Sequence, residues 1–314
     1  MTSAGVTSDG TWLYVAGDDV IERFLIATGE HQGTIGAGTG TGDGQFEAVD
    51  GLYCDGTYLY AADSVNGRIL KFVAATGDFE GWVGQIGSIS PAKGGAPGCD
   101  GAHVGEATPG WCMGGAAQAT VSTPIPGDGS LAVPLGVAGD GTYIFVADSS
   151  YSINRYHAAT GSFAGWIGIV YDPPTAIDLC QGLSQGTPSP GWCMGGTYDE
   201  SDASIVPNVV SVYSDGVNLY AGSMDMNVVN RYSAATGALT GWWGKVWLTP
   251  TDGDPHCTEA VRGDTTPGWC IGGDFDTGNG TTLGSVMSVF GISGFGPFIY
   301  ISDGGGIRIV RVAK

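Results

Sequence analysis

Residues 51–84 read GLYCDGTYLYAADSVNGRILKFVAATGDFEGWVG, and this segment is one copy of a unit that recurs along the chain. Similar units begin at Gly5, Gly136, Ser211 and Val289. Each unit contains short runs rich in Val, Ile, Tyr and Phe, which favour β-strands. This recurrence indicates a fold that is built by repeating one supersecondary element.

Turn signals divide the units into four strands. An Asp-Gly pair separates the first two apolar runs, which is typical of tight hairpins. These pairs are Asp9-Gly10, Asp55-Gly56, Asp140-Gly141 and Asp215-Gly216. A four-stranded sheet cannot bury both of its faces alone, whereas several such sheets arranged radially can. The sequence therefore predicts an all-β fold, a single β-propeller domain over residues 1–314 with about five four-stranded blades.

The second unit resembles the NHL-repeat propellers. The resemblance is carried by Gly42-Asp43-Gly44-Gln45-Phe46, Gly51-Leu52, Asp55-Gly56, Leu59 to Ser64, Asn66 to Ile69 and Lys71-Phe72. Two features depart from it: Asp50 occupies the usual place of a Pro, and the third to fifth units lose most of the Gly-Gln-Phe linker. The resemblance implies a propeller fold. Enzymes among such propellers cluster His or carboxylate side chains around a metal near the central channel.

The fifth unit ends differently from the others. It stops at Lys314 after its third strand, without a Gly-Trp-x-Gly segment. The last blade is therefore predicted to be incomplete. It either remains three-stranded or gains a strand from another molecule, because an unpaired edge is a template for strand addition.

Three long insertions follow the Gly-Trp-x-Gly strands, at about residues 87–133, 169–207 and 245–287. Each contains two Cys, the second within Pro-Gly-Trp-Cys; the pairs are Cys99 and Cys112, Cys180 and Cys193, and Cys257 and Cys270. Three equivalent pairs in Gly/Pro-rich loops predict three local disulfide bonds and an oxidising compartment. The competing interpretation, zinc binding, lacks the usual ligand spacing. Cys54 is predicted to be a buried free thiol, and blade topology predicts that all three insertions lie on one face.

Charge and hydropathy narrow the possible partners. The chain has 31 Asp and Glu against 11 Lys and Arg, a formal net charge of −20. Such a surface repels phosphate, so we expect no nucleic-acid partner. No apolar run is long enough for a membrane-spanning helix, so we expect no membrane insertion. Together with the predicted disulfides, this indicates an extracellular or cell-surface protein.

Four aspartates follow second strands of the units: Asp18, Asp63, Asp148 and Asp303. If their carboxylates converge at the channel mouth, they would suit Ca²⁺, which prefers oxygen ligands. The alternative is that each caps its own loop by accepting backbone N–H groups. No other cofactor is indicated.

Aromatic and basic residues also recur. Trp111, Trp192 and Trp269 precede the second Cys of each pair, and we expect them to be exposed for a sugar ring or a protein partner, or else packed on their own disulfide. The fourth-strand residues Trp82, Trp166 and Trp242 are expected to pack between blades. Third-strand residues Arg23, Lys71, Arg155, Arg231 and Arg311 are expected to pair with carboxylates.

The sequence favours a non-catalytic, secreted interaction or structural protein. It would bind a protein or a glycan through the face that carries the insertions, or self-assemble into a layer or fibre. The alternative is a metal-assisted hydrolase or lyase with its site at the channel mouth. Fold-level analogy does not choose between the two.

Overall fold

A computed structural model describes residues 5–17, 19–118, 125–174, 176, 178–198, 209–276, 286, 288–304 and 308–314. It is a five-bladed β-propeller, as the sequence predicts. Each blade is an antiparallel sheet in which consecutive strands are neighbours. Innermost strands from all five blades surround a central cavity of about 180 Å³.

The first two blades are regular four-stranded sheets. The first contains β1 (Val6–Ser8), β2 (Trp12–Ala16), β3 (Ile21–Leu25) and β4 (His31–Ile35). The second contains β5 (Val49–Cys54), β6 (Tyr58–Asp63), β7 (Arg68–Val73) and β8 (Phe79–Gly84). The first insertion then adds β9 (Ile86–Ile89), a 3₁₀ turn at Cys99–Gly101, β10 (Ala116–Ala117) and β11 (Ile125–Pro126).

The third and fourth blades repeat this plan. The third contains β12 (Pro134–Gly139), β13 (Tyr143–Asp148), β14 (Ser152–His157) and β15 (Phe163–Ile167), and its insertion contributes β16 (Val170–Asp172) and β17 (Thr197–Tyr198). The fourth contains β18 (Val209–Ser214), β19 (Asn218–Ser223), β20 (Val228–Ser233) and β21 (Leu239–Gly244). The last insertion adds β22 (Val246–Leu248), β23 (Asp252–Gly253), a 3₁₀ turn at Cys257–Glu259, β24 (Cys270–Ile271) and β25 (Asp274–Phe275).

The fifth blade has three strands in the part of the chain that the structure describes. They are β26 (Val289–Phe295), β27 (Phe298–Asp303) and β28 (Arg308–Ala313). In the other four blades a fourth strand pairs with the third, whereas β28 pairs only with β27 among the described strands.

The Asp-Gly hairpins form as their sequence indicates. Asp55 accepts hydrogen bonds from the backbone N–H groups of Thr57 and Tyr58 at 2.8 and 2.7 Å, and Gly56 has a φ of 92°. Asp9, Asp140 and Asp215 accept the equivalent pairs of bonds in their blades. These turns are local structures that need no neighbouring blade.

Four of the hydrophobic clusters in the described part of the chain lie between neighbouring blades. Tyr14 and Ile21 of the first blade share a buried cluster with Leu59 and Phe72 of the second. Similar clusters join the second blade to the third, the third to the fourth and the fourth to the fifth. Cys54 is buried and free, as predicted, and burial raises the pKa of its thiol to about 11. No helix among the described residues is long and apolar enough to span a bilayer.

Candidate interaction surface

Three disulfide bonds hold the insertions. They join Cys99 to Cys112, Cys180 to Cys193 and Cys257 to Cys270, each with a Cα–Cα distance of 5.5 Å. All six of these cysteines are buried. The disulfide prediction is therefore confirmed, and sulfur atoms bonded to each other cannot serve as thiolate ligands for zinc. The disulfides indicate an oxidising environment.

The second Cys of each pair extends a blade sideways. Cys112 exchanges backbone hydrogen bonds with Trp82 at 2.9 and 3.1 Å, and Cys193 does the same with Trp166. Cys270 is paired with Trp242 in the fourth blade. The Trp-Cys segments thus lie along the outer edges of the fourth strands, which protects these edges from pairing with other chains.

On each fourth strand that precedes an insertion, a glycine allows the Trp-Cys segment to approach closely. Gly81 has a φ of 138°, and a Cβ built on it would approach the Cβ of Trp111 to 2.9 Å. Gly165 and Gly241 stand in the same relation to Trp192 and Trp269. The Gly-Trp-x-Gly and Pro-Gly-Trp-Cys motifs are therefore two halves of one packing arrangement.

Two of the three fourth-strand tryptophans, Trp166 and Trp242, pack differently from what the sequence predicts. Trp166 packs with Cys180 and Cys193, and Trp242 packs with Cys257 and Cys270. Their indole N–H groups donate to carbonyls of the Gly-Gly turns, as does that of Trp82 to Gly114 at 3.0 Å. The prediction that fourth-strand tryptophans pack between blades is wrong for Trp166 and Trp242, because their rings cover the disulfides of their own insertions.

The tryptophans beside the second cysteines lie between blades. Trp111, Trp192 and Trp269 are 5%, 8% and 2% exposed. Their indole N–H groups donate to the carbonyls of Ala158, Ala234 and Ala313 in the following blade, at 3.0, 3.0 and 2.9 Å. Neither predicted environment is found, because the rings are buried and their hydrophobic clusters contain residues of two blades and no cysteine. No ring face is left open for stacking on a sugar, and each insertion instead fastens its blade to the next one.

The third-strand cations also act between blades. Arg155 lies over the Trp192 ring at 4.4 Å and donates to the carbonyl of Ala235 at 3.1 Å. Lys71 donates to the carbonyl of Ala158, and Arg23 donates to that of Ala75. Burial lowers the pKa of Lys71 and of Arg155. The expected carboxylate pairing is not found for these three residues, because aromatic rings and carbonyls supply their contacts.

Asp63 and Arg68 form a buried ion pair. Both side chains are 0% exposed, and Arg68 Nε donates to Asp63 Oδ2 at 3.0 Å. The other Arg68 nitrogens donate to backbone carbonyls of the linker, including Thr41 at 2.6 Å and Gln45 at 2.8 Å. Burial lowers the pKa of Arg68, and the Asp63 charge opposes this change. The pair thus fixes the linker between the first two blades.

The other aspartates are used by their own blades. Asp148 is fully buried and accepts hydrogen bonds from the backbone of Ala132, Val133 and Ser150 and from the Ser150 hydroxyl. Burial raises the pKa of Asp148 although these bonds favour its charged form. Asp303 accepts from Arg308 at 2.9 Å. Asp18 lies outside the described residues.

The three described aspartates do not form a common site. None of them lines the central cavity, whose walls include Gly51, Gly136 and Ser211. Among the described residues, no group of three or more His, Cys, Asp or Glu side chains is placed to hold a metal ion. Asp63 and Asp148 match the alternative in which an aspartate caps its own loop, because both accept backbone N–H groups.

The three insertions carry exposed large apolar side chains, which together we call the insertion surface. Its members, with their exposed fractions, are Ile89 61%, Val104 57%, Tyr171 36%, Leu179 73%, Trp247 39%, Leu248 57%, Val261 59% and Ile271 42%. Arg262 lies over the Trp247 ring. Large exposed apolar side chains on loops that disulfides hold in place are candidates for contact with other macromolecules.

Comparisons with known proteins add no relative. A scan against protein-family models and a search of curated proteins both gave no match.

Removing one disulfide should destabilise the protein measurably. Replacing Cys180 and Cys193 with Ser is expected to lower the free energy of unfolding by about 3 kcal/mol, because the unfolded chain regains the freedom of the closed loop. Urea denaturation without reductant measures this difference. The matched control is Cys54→Ser, which changes a cysteine that forms no disulfide. Equal denaturation midpoints for the wild type and the double variant would contradict a stabilising role.

Proposed function

We propose that this chain is a secreted or cell-surface interaction protein without catalytic activity, related to the NHL-repeat propellers. Its insertions supply the contact surface, and its partners are proteins, copies of itself included. The observation that carries this proposal is the insertion surface, where Leu179, Leu248 and Val261 are each more than half exposed. Disulfides beneath these loops limit the entropy that the loops lose on binding.

A protein partner is better supported than a glycan. Sugar recognition commonly uses open aromatic ring faces, but Trp111, Trp192 and Trp269 are buried between blades. The exposed side chains of the insertions are mainly aliphatic, which suits the apolar centre of a protein contact. The metal-assisted hydrolase or lyase remains the alternative. Its support is weaker, because the carboxylates of Asp63 and Asp148 already accept hydrogen bonds from the Arg68 side chain and from the Ala132 backbone, respectively.

The native mass of the oxidised protein tests this proposal. We expect light scattering to show assemblies that grow with protein concentration and do not change when EDTA is added. A variant with Leu179→Ser, Leu248→Ser and Val261→Ser should assemble less. The control Val217→Ser, at a 72% exposed residue outside the insertions, should behave as wild type. A monomer that loses stability in EDTA would contradict the proposal and favour the metal-dependent alternative.

A further inference from the structure

Four blade-to-blade contacts repeat one pattern. On the innermost strands, a small residue of one blade meets the backbone of the next. A Cβ on Gly5 would lie 2.8 Å from Leu52 N, one on Gly51 would lie 2.5 Å from Leu135 O, and one on Gly136 would lie 2.9 Å from Val210 O. Between the fourth and fifth blades, Ile292 N donates to Ser211 Oγ at 2.9 Å.

The outer part of each contact uses the turn after the third strand. Ala74, Ala158 and Ala234 in these turns are 1%, 6% and 2% exposed. Each receives a hydrogen bond from the preceding blade or its insertion, for example from the Tyr14 hydroxyl to the carbonyl of Ala74 at 3.1 Å. A blade thus presents a cation and an aromatic ring, and the following blade supplies the turn.

The fifth blade presents the same half of this contact, and in the part of the chain that the structure describes no hydrophobic cluster joins this half to another blade. Arg311 lies over the Phe298 ring at 4.4 Å, as the third-strand cations do in the earlier blades. Ile309 is 66% exposed and Phe290 is 42% exposed. A Cβ on Gly291 would meet only Ser302 of its own blade.

Strand pairing defines this face of the fifth blade. Tyr300 is paired with Arg311, and Ser302 is paired with Ile309, so these four side chains share one face. The opposite face carries Ile299, Ile301, Val310 and Val312, which pack against the fourth blade. A recess of about 570 Å³ on the fifth blade is lined by residues that include Phe290, Ser302 and Ile309.

The first blade carries the complementary half. Its turn after the third strand begins at Ile26, which is 48% exposed, whereas the equivalent Ala74 is 1% exposed. Leu13 and Phe24 are paired on the face that points away from the second blade, and both are only partly buried. Among the described residues, no hydrogen bond and no hydrophobic cluster joins the first blade to the fifth.

We propose that the fifth-blade face binds the first blade of a second copy of this chain. The four formed contacts show which partner fits this face: a blade whose third-strand turn accepts a hydrogen bond from the cation. The first blade of a second copy carries such a turn at Ile26 and Ala27.

This contact joins two different faces and is therefore heterologous. A heterologous contact builds either a closed ring or an open filament, depending on the angle between successive copies. The inference rests on the proposed function, of which it names the partner and the surface. The expected contacts are Arg311 with the carbonyl of Ala27, by analogy with Arg23 and Ala75, and Ile309 with the apolar face that includes Phe24.

Two variants that each block one face test the proposal. Arg311→Glu removes the cation of the fifth-blade face, and Ile26→Asp places a charge on the first-blade face. Each variant alone should weaken self-association by about tenfold or more. An equimolar mixture should form a one-to-one dimer that does not grow further, because one intact face of each kind remains. Sedimentation velocity measures these species.

A control separates this contact from others. Val217→Asp adds the same charge as Ile26→Asp at an exposed residue of the fourth blade. It should assemble as wild type. Unchanged thermal unfolding would show that the Arg311 and Ile26 variants remain folded, as expected for exposed positions.

The outcomes distinguish the two proposals. If Arg311→Glu and Ile26→Asp assemble as wild type while the insertion variant does not, the inference is overturned and the proposed function stands. If the wild type is monomeric at every concentration, both the inference and the self-assembly it rests on are overturned. A one-to-one dimer in the mixture alone supports the inference.

Discussion

Asp63→Asn is expected to lower the free energy of unfolding by about 3–5 kcal/mol, because removing one partner of a buried ion pair leaves an uncompensated charge. Arg68 is 0% exposed and cannot reach solvent without breaking its contacts to the linker. Those contacts include hydrogen bonds to the carbonyls of Thr41 and Gln45. The loss should therefore extend to the contact between the first two blades.

Urea denaturation at neutral pH measures this effect, and the fifth blade provides a matched control. Asp303 pairs with Arg308 at the equivalent turn, but the Arg308 side chain is 30% exposed. That guanidinium is already partly exposed, so we expect a smaller loss for Asp303→Asn than for Asp63→Asn. Equal losses in the two variants would show that burial of the arginine is not what makes the Asp63 pair important.

Trp192→Ala is expected to lower the free energy of unfolding by about 3–5 kcal/mol, the usual range for truncating a large buried aromatic residue. The ring stacks on Phe145 with centroids 5.7 Å apart and lies under the Arg155 guanidinium. Its loss would open a cavity between the third and fourth blades. It would also remove a hydrogen bond to the carbonyl of Ala234.

Two further variants separate these contributions in the same denaturation assay. Trp192→Phe keeps most of the ring but loses the indole N–H, so about 1 kcal/mol of the loss should come from the hydrogen bond. Trp247→Ala changes a tryptophan that is 39% exposed, and it should stay within about 0.5 kcal/mol of wild type. If Trp192→Ala and Trp247→Ala were equally mild, the fastening role of the insertions would be wrong.

Several features could be predicted from the sequence because they depend on residues close together in the chain. The Asp55-Gly56 hairpin forms through hydrogen bonds to residues two and three positions further on. Each disulfide joins cysteines separated by 13 positions within one insertion. Repetition of these local units indicated the propeller, since one sheet of this kind has no partner for its apolar faces.

The roles of individual side chains depended on neighbours that are distant in sequence. Trp111 was expected to be exposed in its loop or to pack on its own disulfide, but it reaches Ala158 in the third blade. Sequence motifs show that Trp166 and Trp192 both recur, but they do not show which ring packs on a disulfide and which packs between blades. That choice depends on the side of the fourth strand along which the insertion returns.

The sequence by itself determined the repeat, its turns and its disulfides. Only the tertiary structure decided that the loop tryptophans lie between blades, that Asp63 pairs with Arg68 against the linker, and that the fifth and first blades are not sealed by described residues. The physical reason is the sequence separation between the residues that interact. Turns and short cross-links are set by local backbone geometry, whereas packing between blades depends on orientations that no single repeat encodes.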